Sequence, residues 1–83
     1  MKASANDWYA AAERTYMRGR EIVLGAKTIG ELEHARICAI VTGEQAFKAE
    51  KAGLDSRRIK MALRARDMLL DAYWRAHFAM RGK

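Results

Sequence analysis

The side chains that most often carry chemistry are few in this chain, and their spacing matches no known catalytic or metal-binding set. His34 and His77 are the only histidines and Cys38 is the only cysteine. Zinc sites and nucleophilic catalysis both need such groups at characteristic spacings, which are absent. His77 falls on an apolar stripe, where a hydrogen-bonded core histidine is expected, and Cys38 is expected to be a small buried hydrophobe. The sequence predicts no metal, no cofactor and no enzymatic activity.

Arg66 is a charged residue at the centre of an apolar stripe, between Leu63 and Leu70. A buried guanidinium without a partner is very costly, so Arg66 needs one. The predicted helix register brings it close to Glu44, which favours a buried Arg66–Glu44 pair. Alternatively, the aliphatic stem of Arg66 packs against the protein while its guanidinium head reaches water. A third interpretation is that Arg66 holds an acidic ligand or a residue of a partner.

A basic cluster occupies residues 57–66, a stretch with five cations and no acid. The whole chain has a net charge of +6. Such a run is most often a solvated helix face, but it also suits an acidic protein partner or nucleic-acid phosphates. Asp67 and Asp71 continue the same face and would repel a phosphate backbone. The cations expected to bind a partner are Arg57, Arg58, Lys60 and Arg64.

Four large apolar residues complete the predicted partner-binding set. Trp74 and Phe78 lie towards the edge of an apolar stripe, so they are either interface anchors or the cover of a bundle rim. Met61 and Met68 belong to a narrow apolar strip among charges, and methionines adapt to irregular partners. Three uses of that strip are possible: it packs against the first helix, forms a dimer contact or binds a target protein.

Three helices must position these residues, at about residues 6–24, 28–52 and 56–80. The chain has no proline, and its Ala, Arg, Glu and Met content favours an all-α fold in a single helical domain. Start signals are the capping patterns Ser4-x-x-Asp7 and Thr28-x-x-Glu31, and Asp55 or Ser56 before the third helix. Stop signals are Gly25 and Gly53, with Leu54 folding back towards Ala49.

The short turn Gly53–Asp55 predicts a long antiparallel αα-hairpin of the second and third helices, beside a shorter N-terminal helix. Residues whose numbers add up to about 108 should then face one another. Large residues on the third helix meet small ones on the second, as dense packing requires. Gly19 in the first helix either allows close helix approach or is a tolerated weak point.

The second and the third helix each carry two apolar stripes rather than one, so each needs two partners. The stripes of the third helix are its main apolar stripe and the narrow strip that contains Met61 and Met68. A chain of 83 residues is marginal as a monomer, because short chains bury only about 60% of their unfolded surface. The sequence therefore predicts a homodimeric helical bundle. One stripe of the second helix is Leu32, Ala35, Ala39, Thr42, Ala46 and Ala49, and its second stripe is Ile29, Ile37, Ile40 and Phe47.

Composition narrows the class of protein and its expected cellular location. Apolar residues make up 51% and charged residues 31% of the chain, which is typical of a globular protein. No apolar run approaches the ~20 residues that span a bilayer, and the first residues lack the apolar core of a signal peptide. A single cysteine excludes an internal disulfide. We expect a cytoplasmic protein that does not bind membranes.

The chain resembles the small early proteins with which bacteriophages, including Mu-like phages, bind and redirect host proteins. The resemblance lies in the helical hairpin with Gly53-Leu54-Asp55 at its tip, the aromatic helix start Asp7-Trp8-Tyr9 and the Arg-rich stretch 57–66. It implies a helical dimer that inhibits a host protein, such as a pilus assembly motor or a transcription regulator. It transfers no functional residue.

These features suit three functions to different degrees. The leading prediction is a small non-enzymatic helical protein that binds and regulates or inhibits another protein. The alternative is a nucleic-acid-binding protein that uses the basic start of the third helix. The third is an enzyme resembling the Arg-rich, three-helix chorismate mutases, for which only Arg66 and Glu44 are suitably placed.

Overall fold

Three helices account for most of residues 2–82, which are the residues described by the structure, a computed structural model. Helix α1 spans Ala5–Gly25, α2 spans Ile29–Lys51 and α3 spans Ser56–Arg81. The described residues form no strand, so the all-α prediction is confirmed. Each helix begins and ends within one residue of its predicted bounds.

Side chains cap the starts of α1 and α3. Ser4 accepts a hydrogen bond from the Asp7 amide at 3.1 Å, and the Asp7 carboxylate accepts one from the Ser4 amide at 2.9 Å. This reciprocal capping box satisfies two amides that the helix itself leaves free. Asp55, rather than Ser56, caps α3 by accepting a hydrogen bond from the Arg58 amide at 3.0 Å.

The connection between α1 and α2 differs from its prediction in two details. Gly25 is the last residue of α1, and the extended residue Ala26 ends the helix in its place. Thr28 accepts from the Glu31 amide at 3.1 Å, as predicted. The Glu31 carboxylate, however, accepts from the amide of Lys27 instead of Thr28. The return bond of the predicted capping box is therefore shifted by one residue.

The end of α2 follows its prediction. Gly53 has a φ of 98°, a left-handed conformation that residues with a Cβ rarely adopt. The Leu54 amide donates to the carbonyl of Ala49 at 2.9 Å, and the Gly53 amide donates to that of Glu50 at 3.0 Å. These two bonds make a Schellman motif, which stops the helix and turns the chain sharply towards α3.

Contacts between α2 and α3 run in reverse order along the two helices. Ile59 at the start of α3 packs near Ala49 at the end of α2. Leu69, in the middle of α3, packs against Ala39. In both pairs the residue numbers add up to 108.

Small residues of α2 form the centre of the core. Large side chains from the other two helices fill the space around them, chiefly Leu69 and Tyr73 from α3. Gly19 of α1 faces Leu69 so closely that a Cβ at this position would lie 2.4 Å from the leucine Cδ2. Gly19 therefore permits a close helix approach. The buried residues of α2 are Leu32, Ala35, Cys38, Ala39, Thr42, Ala46 and Ala49.

Helix α1 packs on the other two helices of its own chain. Trp8 and Tyr9 near its start pack with Leu54 and Ile59. Ile22 and Val23 near its end pack around Tyr73. The α1 and α3 helices thus run in the same direction. The molecule is elongated, with extents of 46 × 23 × 14 Å. None of the helices within residues 2–82 combines the length and apolar character needed to cross a bilayer.

Candidate protein-interaction surfaces

One broad apolar surface lies along α2 and α3, and we call its five members the outer face: Ile40, Phe47, Leu63, Leu70 and Trp74. Ile40, Phe47 and Trp74 are 45%, 55% and 45% exposed, whereas Leu63 and Leu70 are half-buried. Ile40, Phe47 and Leu70 border one open groove of about 600 Å³. Glu44, Arg66 and Asp67 border the same groove, so its apolar side chains alternate with charged ones. Apolar side chains gathered on one side of a molecule mark interaction sites more often than scattered ones do.

Arg66 lies in this groove and is not buried with Glu44, so the predicted buried pair is wrong. Glu44 is exposed, and the Arg66 guanidinium pairs instead with the adjacent Asp67 at 2.9 Å. The Arg66 stem packs over Gly43, where a Cβ would lie 2.8 Å from the arginine Cδ. Arg66 therefore follows the second interpretation, in which the stem packs and the head reaches water.

A second surface lies on α3 beside the outer face, and we call it the basic face: Arg57, Lys60, Met61, Arg64 and Met68. Their spacing of three and four residues places them along one side of the helix. All five are exposed. No ion pair formed within residues 2–82 includes Arg57, Lys60 or Arg64. The structure thus brings together most of the partner-binding residues predicted from the sequence.

Arg58 does not belong to this surface, although the sequence analysis placed it there. Its guanidinium pairs with Asp55 and donates to the Asn6 side chain at 2.9 Å. It also lies over the ring of Tyr9, 5.6 Å from the centroid. The hydrogen bond from Arg58 lowers the pKa of the Asp55 carboxyl. Arg58 therefore ties the start of α1 to the start of α3.

Met61 and Met68 are 54% and 55% exposed, so α1 does not cover these two methionines. Met61 lies at the rim of a narrow apolar pocket of about 180 Å³ between α1 and α3, with Tyr9 and Tyr16 on the opposite side. Both methionines thus remain available to a partner. Helix α1 thus lies against one edge of the strip, and the exposed methionines leave a dimer contact and a target-binding face open as further occupants.

The end of α3 carries an aromatic group. Trp74 lies edge-on to Tyr73 with ring centroids 4.9 Å apart, and His77 lies 5.5 Å from Trp74. Phe78 is 61% exposed and lies 6.0 Å from Trp74. His77 is only half-buried, and its Nδ1 has no hydrogen-bond partner within residues 2–82. The expected hydrogen-bonded core histidine is therefore not what the structure shows.

Cys38 is buried, as expected, and burial raises the pKa of its thiol. A raised pKa lowers the thiolate fraction and with it the reactivity. His34 is exposed. Within residues 2–82, no group of three or more His, Cys, Asp or Glu side chains lies close enough to hold a metal ion.

Two features of the structure lie outside the site residues predicted from the sequence. Tyr73 donates a hydrogen bond to the carboxylate of Glu33, which also pairs with Arg36. The bond from the Tyr73 hydroxyl lowers the pKa of Glu33. Ile40 and Phe47 belong to the second apolar stripe of α2 predicted from the sequence, but the predicted site does not include them. Their helical spacing was the signal that could have placed them in the site.

Comparison with known proteins gives no match, whether to a protein-family model, to a curated protein or to a solved structure.

Proposed function

We propose that this chain is a small non-enzymatic helical protein that binds another protein and regulates or inhibits it. In this proposal α2 and α3 form a long antiparallel hairpin within a homodimer. The basic face is the observation that carries the proposal. Three exposed cations that form no ion pair among residues 2–82 stand beside two exposed methionines. This combination suits a partner whose surface is acidic with apolar patches.

The surroundings of Arg66 support a binding function over a catalytic one. In its groove Arg66 is flanked by the carboxylates of Glu44 and Asp67. A dicarboxylate substrate would meet two negative charges for one positive charge at this position, which opposes binding. The chorismate-mutase interpretation therefore receives no support from the groove.

The proposal is tested by affinity capture from a bacterial lysate with two variants of equal net charge. The first reverses the basic face with Arg57→Glu, Lys60→Glu and Arg64→Glu. The control reverses three other exposed cations with Lys2→Glu, Arg14→Glu and Lys27→Glu. We expect one protein to be recovered by the wild type and by the control, and to be lost with the first variant. Equal recovery by both variants would reject the basic face as the binding site.

Nucleic-acid binding remains the second candidate, because one observation favours it. The acids expected to repel a phosphate backbone are both paired within the chain, Asp67 with Arg66 and Asp71 with Arg75. If Arg57, Lys60 and Arg64 each contact a phosphate, log K should fall with log salt with a slope of about −2.7. A gel-shift assay without any retarded DNA or RNA band at low salt would eliminate this candidate.

A further inference from the structure

We propose that the narrow pocket between α1 and α3 receives one apolar, ring-sized side chain from an acidic segment of the partner protein. The inference rests on the binding function proposed above and adds the way in which the partner is held. The pocket lies between Tyr9 and Tyr16 of α1 and Met61 and Ala65 of α3. Its volume is about 180 Å³.

The pocket exists because small residues of two helices meet there. In the middle of the core a small residue faces a large one, as Gly19 and Ala39 face Leu69. Ala12 of α1 and Ala62 of α3, both buried, instead line the same pocket, so neither helix fills it. Dense packing leaves few voids larger than a water molecule in a protein interior. This space is therefore open to a side chain from outside.

The bottom of the pocket favours an apolar occupant. Ala12, Thr42 and Ala62 are the buried residues of its lining, so they form its bottom. The hydroxyl of Thr42 donates a hydrogen bond to the carbonyl of Cys38 at 2.8 Å, so its proton is already used. A polar group that needs a donor would find none in these three side chains and would lose its hydrogen bonds to water.

The volume suits one side chain rather than a separate small molecule. An apolar cavity of about 150 Å³ is enough to hold benzene, which has the size of a phenylalanine ring. Pockets for small-molecule ligands and cofactors usually measure about 300–1,000 Å³. The pocket of about 180 Å³ therefore fits a single Phe or Leu side chain, and buried anchors of this kind supply much of the affinity in protein interfaces.

The two tyrosine walls are held in place by arginines. The guanidinium of Arg58 lies over the Tyr9 ring, 5.6 Å from its centroid, and that of Arg20 lies over the Tyr16 ring at 5.9 Å. Neither arginine lines the pocket itself. Arg58 is in turn held by its ion pair with Asp55. Walls that are fixed before binding lose less conformational entropy when a side chain enters, which favours the pocket as an anchor site.

Charges on the α3 side of the pocket favour an acidic partner segment. Residues 57–69 reach one helical turn to either side of the pocket, and they include five cations and one acid, Asp67. Two of these cations are paired, Arg58 with Asp55 and Arg66 with Asp67. The other three are the cations of the basic face, which form no ion pair within residues 2–82. They are available to the carboxylates of a partner.

The α1 side of the pocket has no such excess of positive charge. Within residues 5–20, two acids, Asp7 and Glu13, accompany three arginines, and Glu13 itself lines the pocket. An acidic residue of the partner would be repelled there, so the acidic residues should lie on the α3 side of the apolar anchor. Met61 belongs both to the pocket and to the basic face. One segment of a partner therefore reaches both surfaces.

Selection from a displayed library of random peptides tests the occupant before the natural partner is known. We expect the peptides selected by the wild type to share one Phe, Trp or Leu beside two or more Asp or Glu residues. Ala65→Leu fills the pocket and should bind a selected peptide at least tenfold more weakly, as measured by fluorescence anisotropy. The matched control is Ala79→Leu at an exposed position of the same helix, which should bind the peptide as the wild type does.

Circular dichroism establishes that both variants are folded. Selected peptides without these features, or equal binding by Ala65→Leu and the wild type, would overturn the inference. A wild-type dimer that Ala65→Leu dissociates in sedimentation equilibrium would also overturn it, because the occupant would then be a second copy of the chain. If Ala65→Leu still captured the partner from a lysate while the charge-reversed basic face did not, the pocket would be rejected and the proposed function would stand. If the wild type captured no protein from a lysate, the proposed function would fail, and peptide binding would still decide the occupant of the pocket.

Discussion

The hydroxyl of Tyr73 donates a hydrogen bond to the carboxylate of Glu33, 40 residues earlier in the chain. The tyrosine ring itself is almost fully buried against Leu32 and Ala35. One residue therefore joins the apolar core to the charged surface between α2 and α3. The same bond raises the pKa of Tyr73 and lowers that of Glu33, because it favours the neutral phenol beside the ionised carboxylate.

Removing this hydroxyl with Tyr73→Phe should lower the melting temperature and raise the pKa of Glu33, because the carboxylate loses its principal donor. An NMR titration of the Glu33 carboxyl measures the pKa, and thermal unfolding measures stability. A double-mutant cycle with Glu33→Gln isolates the pair. We expect the double variant to lose less stability than the two single variants combined. Strict additivity would show that the two groups do not interact.

Gly19→Ala should destabilise the protein by about 1 kcal/mol, although alanine is the better helix former. Its Cβ would meet the buried Leu69 at 2.4 Å and Cys38 at 3.0 Å. Overpacking costs about 1–3 kcal/mol, against a gain of about 1 kcal/mol in helix propensity. The matched control is Gly30→Ala, whose nearest contact would be an ordinary 3.8 Å. It should stabilise by about 0.5–1 kcal/mol. Urea denaturation measures both, and a stabilising Gly19→Ala would contradict the close approach.

Stability should fall in acid because three carboxyls have pKa values below the ordinary range. Hydrogen bonds from the Ser4 amide, from Tyr73 and from Arg58 lower the pKa of Asp7, Glu33 and Asp55 respectively. As pH falls, the unfolded chain binds protons first, so this stabilisation is complete above about pH 5 and is lost progressively as pH falls from there through the lowered pKa values of the folded protein.

Urea midpoints measured from pH 7 down to pH 2.5 test this pH dependence. The variant Asp55→Asn can still cap α3 but cannot titrate, so its stability should change less steeply with pH than that of the wild type. Identical slopes for the two proteins would mean that Asp55 does not contribute to the acid response.

Alanine substitutions of the adjacent Arg57 and Arg58 at the start of α3 should have different effects on stability and on partner binding. Arg58→Ala removes the contacts to Asn6, Asp55 and Tyr9 and should destabilise by about 1 kcal/mol. Arg57→Ala should change stability by less than about 0.5 kcal/mol, since Arg57 is exposed, but it should weaken capture of the partner. Thermal unfolding and the capture assay together measure both effects. Equal loss of stability in the two variants would contradict the separate functions.

The helices and the core of α2 could be predicted from the sequence because they depend on local rules. Capping residues, the left-handed Gly53 and the spacing of Leu32 and Ala39 act within a few residues of the chain. The partner of Arg66 could not be predicted in this way. Glu44 and Asp67 are both within reach of a long side chain, and the choice between them depends on how α2 and α3 are rotated against each other.

The distinction between local rules and helix packing also explains why most of the basic face could be predicted and the position of Arg58 could not. Spacing alone places Arg57, Lys60 and Arg64 on one side of a helix, and the structure leaves that side exposed. Arg58 is one residue away from Arg57 and so points about 100° around the helix, towards α1. Its contacts with Asn6 and Tyr9 depend on where α1 packs, which the sequence of α3 does not specify.

The rate at which the single cysteine, Cys38, is chemically modified can report on the detachment of α1. Cys38 is buried beneath Gly19, where the backbones approach most closely. Cys38 also lines an open pocket of about 450 Å³ between α1 and α2. An alkylating reagent can therefore approach it from that side, and its modification should become faster whenever α1 lifts away. No added label or engineered position is needed to follow the motion.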